Sequence, residues 1–176
     1  MFLHMETSDI RIGMGTDVHA FATGRDLVLG GVKIDHDQGL AGHSDADVLI
    51  HAVCDAILGA AGLGDIGDLF PDTDPAYKDI DSRILLQICA QKLAKTGFRI
   101  LNLDCTVFAQ VPKLGHKKQE IAASIAQTLS LSPRLVNMKA TTTEHLGFIG
   151  RKEGIAAQAI VLIATQTKPF TKGNMT

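Results

Sequence analysis

Apolar and polar positions partly alternate over Ile10–His19, which predicts a strand with Ile10, Ile12 and Met14 on one face. Leu27-Val28-Leu29 and Val32-Lys33-Ile34 flank Gly30-Gly31 and predict two short strands joined at a turn or bulge. The period then changes. Ser44–Ala61 carries Val48, Ala52 and Ile57 within a broad apolar stripe; Ser44 is the expected N-cap and Asp47, three residues on, suits a capping box. The run Gly62–Asp68 ends that helix, and 69–79 reads as an acidic loop with two prolines. Asp81–Lys95 predicts a second helix with Ile84, Leu85, Ile88, Ala90 and Leu93 facing in and Gly97 as its stop. Phe98–Ala109 predicts a strand, Glu120–Leu131 a third helix, Val136–Thr143 a strand running into a Thr-rich turn, and Gly154–Thr165 a last apolar strand. This order predicts an α+β single domain, a mixed β-sheet with helices packed on one face. No repeat or linker divides 10–166; residues 1–9 read as a disordered N-terminal extension and 167–176 as a flexible tail.

Composition narrows the function classes. The chain has 176 residues, 45% hydrophobic and 20% charged, with a formal net charge of −2. That length buries a sizeable core. With no block of five Lys/Arg, no Trp and one Tyr, neither a broad nucleic-acid footprint nor a base-stacking platform is indicated. Cys54, Cys89 and Cys105 are odd in number, widely spaced and set in apolar runs, so they read as buried free thiols in a reducing compartment, the cytoplasm. No apolar run is long enough to span a bilayer, and the first nine residues lack the features of a signal peptide.

Candidate chemistry lies in five places. Asp17 and His19, two apart on a strand, point to the same side, and with His51 from the first helix they form a ligand set suited to zinc or a similar divalent ion. Alone, a D-x-H is also an ordinary strand end. Gly42–Asp47 enters a helix N-terminus, where backbone N–H groups favour an anion and His43 is placed to donate to phosphate; a plain capping loop fits equally well. Gly64–Gly67 and Phe70–Asp74 combine small residues with carboxylates able to accept from polyol hydroxyls, or form a solvated acidic turn. Lys139–Glu144 offers three hydroxyls at a strand end and a carboxylate for a hard cation such as Mg²⁺, although threonines are also good strand formers. Gly147–Gly154 presents an aromatic residue and a basic cluster; Arg151 suits bidentate phosphate pairing, or a solvated turn.

These stretches together resemble the 2-C-methyl-D-erythritol 2,4-cyclodiphosphate synthase family. The likeness rests on Gly15–Phe21, Gly30–Val32, His43–Val48, Leu58–Ala61, Gly64–Gly67, Leu69–Pro75 and Lys139–Glu144, with Gly147-Phe148 and Gly150-Arg151, and runs from about Ile10 to Ala164. It implies an enzyme of the non-mevalonate isoprenoid route and a homotrimer with active sites shared between subunits. It implies zinc at Asp17, His19 and His51, and Mg or Mn held by Glu144 with substrate phosphates. By the same resemblance His43 and Thr142 stabilise the transition state. Asp17, Val18, His19, His43, Ser44, Asp65, Ile66, Gly67, Phe70, Pro71, Asp72, Thr73 and Asp74 bind the erythritol and phosphate end, with Phe148 and Arg151 near the trimer axis. Ala109, Gln110, Val111, Pro112, Lys113, Leu114 and Gly115, with Thr141, Thr142, Thr143 and Glu144, hold the cytidine diphosphate. One departure stands out: the family often carries a second proline just before the histidine of the Pro-Lys loop, and here Gly115 precedes His116 instead. Two other classes share these features: a metal-dependent phosphohydrolase, and a non-catalytic trimeric binding module.

Overall fold

The computed structural model describes residues 9–166. The expected terminal segments 1–9 and 167–176 fall outside that range except for Asp9, whose N–H donates to Thr165 Oγ1 at 3.2 Å. A five-stranded sheet has the order β4-β1-β7-β5-β6, built from β1 (Ile10–Ala22), β4 (Gly39–Leu40), β5 (Phe98–Phe108), β6 (Val136–Thr141) and β7 (Gly154–Thr165). β5 and β6 are parallel; the other pairs are antiparallel. Parallel pairing demands a crossover, and α4 (Lys118–Thr128) supplies it. β2 (Leu27–Leu29) and β3 (Val32–Ile34) form a separate hairpin turned at Gly30-Gly31.

The sheet is mixed and its helices lie on one face, as predicted. α1 (Val48–Ala61) is apolar almost all round and is buried between the sheet and α3 (Ser82–Lys95). The opposite face leaves an apolar strip exposed: Ile10, Ile12, Met14 and Val18 on β1, with Ile160 paired beside Met14 on β7.

The structure corrects two local expectations. Asp47, not Ser44, caps α1, accepting from Ile50 N–H at 3.0 Å. Its two oxygens also accept from the N–H groups of Gly30 and Gly31, at 2.9 and 2.7 Å. The fully buried carboxylate thereby ties the β2–β3 turn to α1, a long-range demand that no local capping rule contains. In α3 the inward face carries Leu85, Leu86, Cys89 and Leu93, while Ile84 is 45% exposed. Short elements escaped the periodicity reading: α2 (Ile66–Leu69), α5 (Gly147–Gly150), β4, and 3-10 turns at Pro75–Tyr77 and Pro133–Leu135.

Candidate active site

Gly13, Gly15, Asp17 and His19 share the helix-side face of β1. α1 rests directly on the two glycines. A Cβ at Gly13 would stand 2.0 Å from the carbonyl oxygen of Ala56, and one at Gly15 would stand 2.1 Å from that of Ala52. This close approach requires glycine. It brings His51, in the first turn of α1, onto the end of β1.

Three ligand atoms meet there. Asp17 Oδ2 lies 2.8 Å from His19 Nε2 and 3.0 Å from His51 Nδ1, and the two nitrogens are 3.2 Å apart. A tetrahedral zinc-like ion with bonds near 2.0–2.1 Å wants donors roughly 3.3 Å apart, so a small outward adjustment accommodates one ion. The donor set therefore fits a divalent metal. Around the ligands, Asp17 Oδ1 accepts from Val18 N–H at 2.8 Å. The Ala41 carbonyl accepts from His19 Nδ1–H, which leaves the Nε2 lone pair turned inward. His51 Nε2 faces the hydroxyls of Ser44 and Ser82, each at 3.1 Å. Burial opposes ionisation of Asp17, but hydrogen bonds and charge from His19 and His51 outweigh it and hold the carboxyl well below its ordinary range. Burial likewise disfavours charge on His19, yet its pKa is raised by the hydrogen bond and charge of Asp17.

His19 and His51 open onto a cavity of about 310 Å³. Among the residues expected to bind the polyol and phosphates, His43, Ser44, Ile66, Gly67, Phe70 and Asp72 line it. His43 Nε2–H donates to the Asp74 carbonyl at 3.4 Å. Asp65 and Asp74 hold backbone rather than the cavity: Asp65 caps α2 through Asp68 N–H at 2.9 Å, and Asp74 accepts from Ala76 N–H at 2.9 Å. Pro71 and Thr73 belong to the same turn, outside the lining. Val18 does not line this cavity. Its side chain is 55% exposed on the far face of β1, because neighbours along a strand alternate sides.

A second cavity, of about 430 Å³, is bounded by Ala109, Pro112–Gly115 and Lys118 on one side and Ala140–Thr142 on the other. Ala109 N–H donates to the Thr141 carbonyl at 2.9 Å, and buried Gln110 accepts from His145 N–H at 3.2 Å. Beyond β6 the Thr142 hydroxyl donates to Glu144 Oε1 at 2.7 Å, and Thr143 donates to the Leu146 carbonyl at 2.7 Å. The predicted nucleotide residues thus gather, with Val111 inside their loop, but apart from the metal group. Val18, Ala156, Phe108 and Thr141 form one row across the sheet. Three strand spacings separate its ends, about 14 Å. Thr142 is therefore not beside His43 within one chain, and Glu144 is not part of the Asp17 group. Arg151 forks onto Glu153 at 2.7 and 3.0 Å, and Phe148 is partly exposed on α5; neither lines either cavity.

Residues 10–164 match the YgbB family. The chain belongs to that family. The 2-C-methyl-D-erythritol 2,4-cyclodiphosphate synthase of Bordetella avium (strain 197N) is 56% identical over 160 residues, covering 91% of this chain and 99% of the relative. The protein of the same name from Ralstonia pickettii (strain 12J) is 55% identical over 159 residues, 90% of this chain and 95% of the relative. Among solved structures, the CDP complex of Plasmodium falciparum IspF superposes with a TM-score of 0.80 at 35% identity, over 92% of this chain and 100% of that one. The bifunctional IspDF from Campylobacter jejuni matches with a TM-score of 0.88 at 50% identity over 91% of this chain, which spans 43% of that longer protein.

Several further residues border the site with little or no local signal in the sequence. Tyr77 and Leu85 line the first cavity, and Tyr77 stacks edge-on against Phe70 at 5.3 Å. Arg25 Nη1 donates to the Gly42 carbonyl at 2.6 Å and Nη2 to that of Ser44, bracketing His43. Asp45 and Ser82 lie behind His51. The only local signal for Ser82 was its place after an N-capping aspartate.

Proposed function

We propose that this chain converts 4-diphosphocytidyl-2-C-methyl-D-erythritol 2-phosphate into 2-C-methyl-D-erythritol 2,4-cyclodiphosphate and CMP. The observation that carries this reading is the Asp17–His19–His51 group opening onto a cavity lined by His43, Ser44 and Asp72, in a family whose relatives bear the synthase name. An oxygen of the substrate's 2-phosphate bonds to the β-phosphorus. The bond from that phosphorus to the bridging oxygen breaks, and CMP leaves with the electron pair. No water is consumed, so no protein nucleophile or water-activating base is required.

The obstacle is the approach of two anions. Divalent ions at Asp17, His19 and His51, and at Glu144, would supply charge neutralisation. His43 donates toward a phosphoryl oxygen, Asp72 accepts from a polyol hydroxyl, and Phe70 with Ile66 excludes water. Residues 109–115 and 141–144 hold the cytidine diphosphate. Folding one substrate into a ring makes the step intramolecular, an advantage of roughly 7–11 kcal/mol when the geometry is right.

We further read the protein as a homotrimer. Two features support it: the exposed apolar strip on β1 and β7, and the separation of about 14 Å between the metal strand and the nucleotide edge within one chain. A site shared between neighbouring copies brings the two halves together. We place the protein in the cytoplasm; its three cysteines are free and buried. The test is incubation with the candidate substrate and Mg²⁺, followed by chromatography for CMP. CMP release that is lost on chelation supports the synthase; intact substrate after incubation with zinc and Mg²⁺ contradicts it.

A further inference from the structure

Ser82 and Asp45 approach the metal group from behind. Ser82 opens α3 and is fully buried. Its Oγ lies 2.5 Å from Asp45 Oδ1, 3.1 Å from His51 Nε2 and 3.2 Å from Ser44 Oγ. A carboxylate only accepts, so the single hydroxyl proton of Ser82 goes to Asp45. The Ser82 oxygen is then an acceptor for both remaining neighbours. It takes the Nε2–H of His51 and the hydroxyl proton of Ser44, whose own oxygen accepts from Ala46 N–H at 3.1 Å. Asp45 is itself anchored: Oδ2 accepts from Ser82 N–H at 3.2 Å and Oδ1 from Asp47 N–H at 3.3 Å.

We infer that Asp45 and Ser82 are positioning residues that fix the metal-bound His51 with its proton on Nε2 and its lone pair on Nδ1, the atom that otherwise faces Asp17 Oδ2 at 3.0 Å. This deepens the metal-centre reading and rests on it. The direction of the chain of donors matters more than its existence. If Ser82 lacked its oxygen, the Ser44 hydroxyl proton would lose its acceptor and turn to His51 Nε2, 3.1 Å away. An imidazole accepting at Nε2 carries its proton at Nδ1, where the cation binds. Asp45→Asn disturbs the same chain at constant size. Both carboxylate oxygens are acceptors here, so an amide NH₂ faces the Ser82 N–H in one orientation and the Asp47 N–H in the other, where it also donates to Ser82 Oγ and turns that hydroxyl around.

The experiment pairs zinc affinity, by competition with a chromophoric chelator, with nitrogen NMR of the His51 ring in the zinc-loaded protein. The unaltered zinc-loaded protein is expected to hold His51 protonated at Nε2. Ser82→Ala and Asp45→Asn are expected to weaken zinc binding by roughly 10- to 100-fold, the usual cost of losing an outer partner of a metal ligand. Ser82→Thr, which keeps the hydroxyl, should restore affinity. A His51 proton on Nδ1 in the unaltered zinc-loaded protein overturns the inference without reference to any variant. So does zinc binding by Asp45→Asn equal to that of the parent. If the parent itself binds no zinc, the metal-centre reading falls together with this one.

Discussion

Asp17 and His51 meet across 34 residues of chain, and the chemistry of the site depends on that meeting. Removing either donor is expected to cost both metal and turnover. Asp17→Asn and His51→Ala should lower bound zinc, measured by elemental analysis, and reduce CMP release by about a hundredfold or more, since charge neutralisation by a metal is worth several kcal/mol. The Asp17–His19 pairing was legible in the sequence because a strand's period of two sets both on one side. His51 was not placeable by spacing. Its position depends on Gly13 and Gly15 letting α1 settle against β1, a long-range contact that spacing does not encode. Gly15→Ala tests that dependence. Its methyl collides with the Ala52 carbonyl, so α1 must lift, at a cost of about 1–3 kcal/mol in urea unfolding and with weaker zinc binding.

Elements larger than a turn were read correctly in kind, and β7 (Gly154–Thr165) falls on its predicted bounds. The errors gather at caps. Ser44 looked like the cap of α1, yet Asp47 holds that role because its carboxylate also serves the β2–β3 turn. Asp47→Ala strips the partners from the N–H groups of Gly30, Gly31 and Ile50. At about 1–3 kcal/mol for each buried donor left unmet, a loss of roughly 3 kcal/mol or more is expected by denaturant unfolding. Asp81, expected as the first residue of α3, instead caps it, accepting from Arg83 N–H at 2.9 Å. The side chain of Arg83 also holds its carboxyl below the ordinary value of 3.8. A carboxyl depressed in the folded state stabilises the fold above 3.8, and that contribution fades as pH falls through the lowered value. Asp81→Ala should therefore cost about 1 kcal/mol near neutrality, and its deficit should shrink in acid below 3.8. A deficit that grew in acid would refute the cap's charge role.

At the scale of the whole molecule, the metal group and the predicted nucleotide loop open onto separate cavities, and the proposed trimer would bring them together between neighbours. Ile12, 69% exposed at the centre of the bare strip, is the place to ask. Ile12→Lys is expected to shift the mass measured by light scattering from trimer toward monomer and to abolish CMP release, with zinc binding by the isolated chain retained. The proposed assembly has no signal in local periodicity, where Ile10, Ile12 and Met14 look like any inward face of a strand. The rival hydrolytic chemistry would use the same ligands to add water, so the product decides between them. Phosphorus NMR of the reaction carried out in heavy-oxygen water is the most direct measurement. The account predicts a cyclic diphosphate free of the solvent isotope, together with CMP; a linear phosphate carrying the heavy oxygen would contradict it.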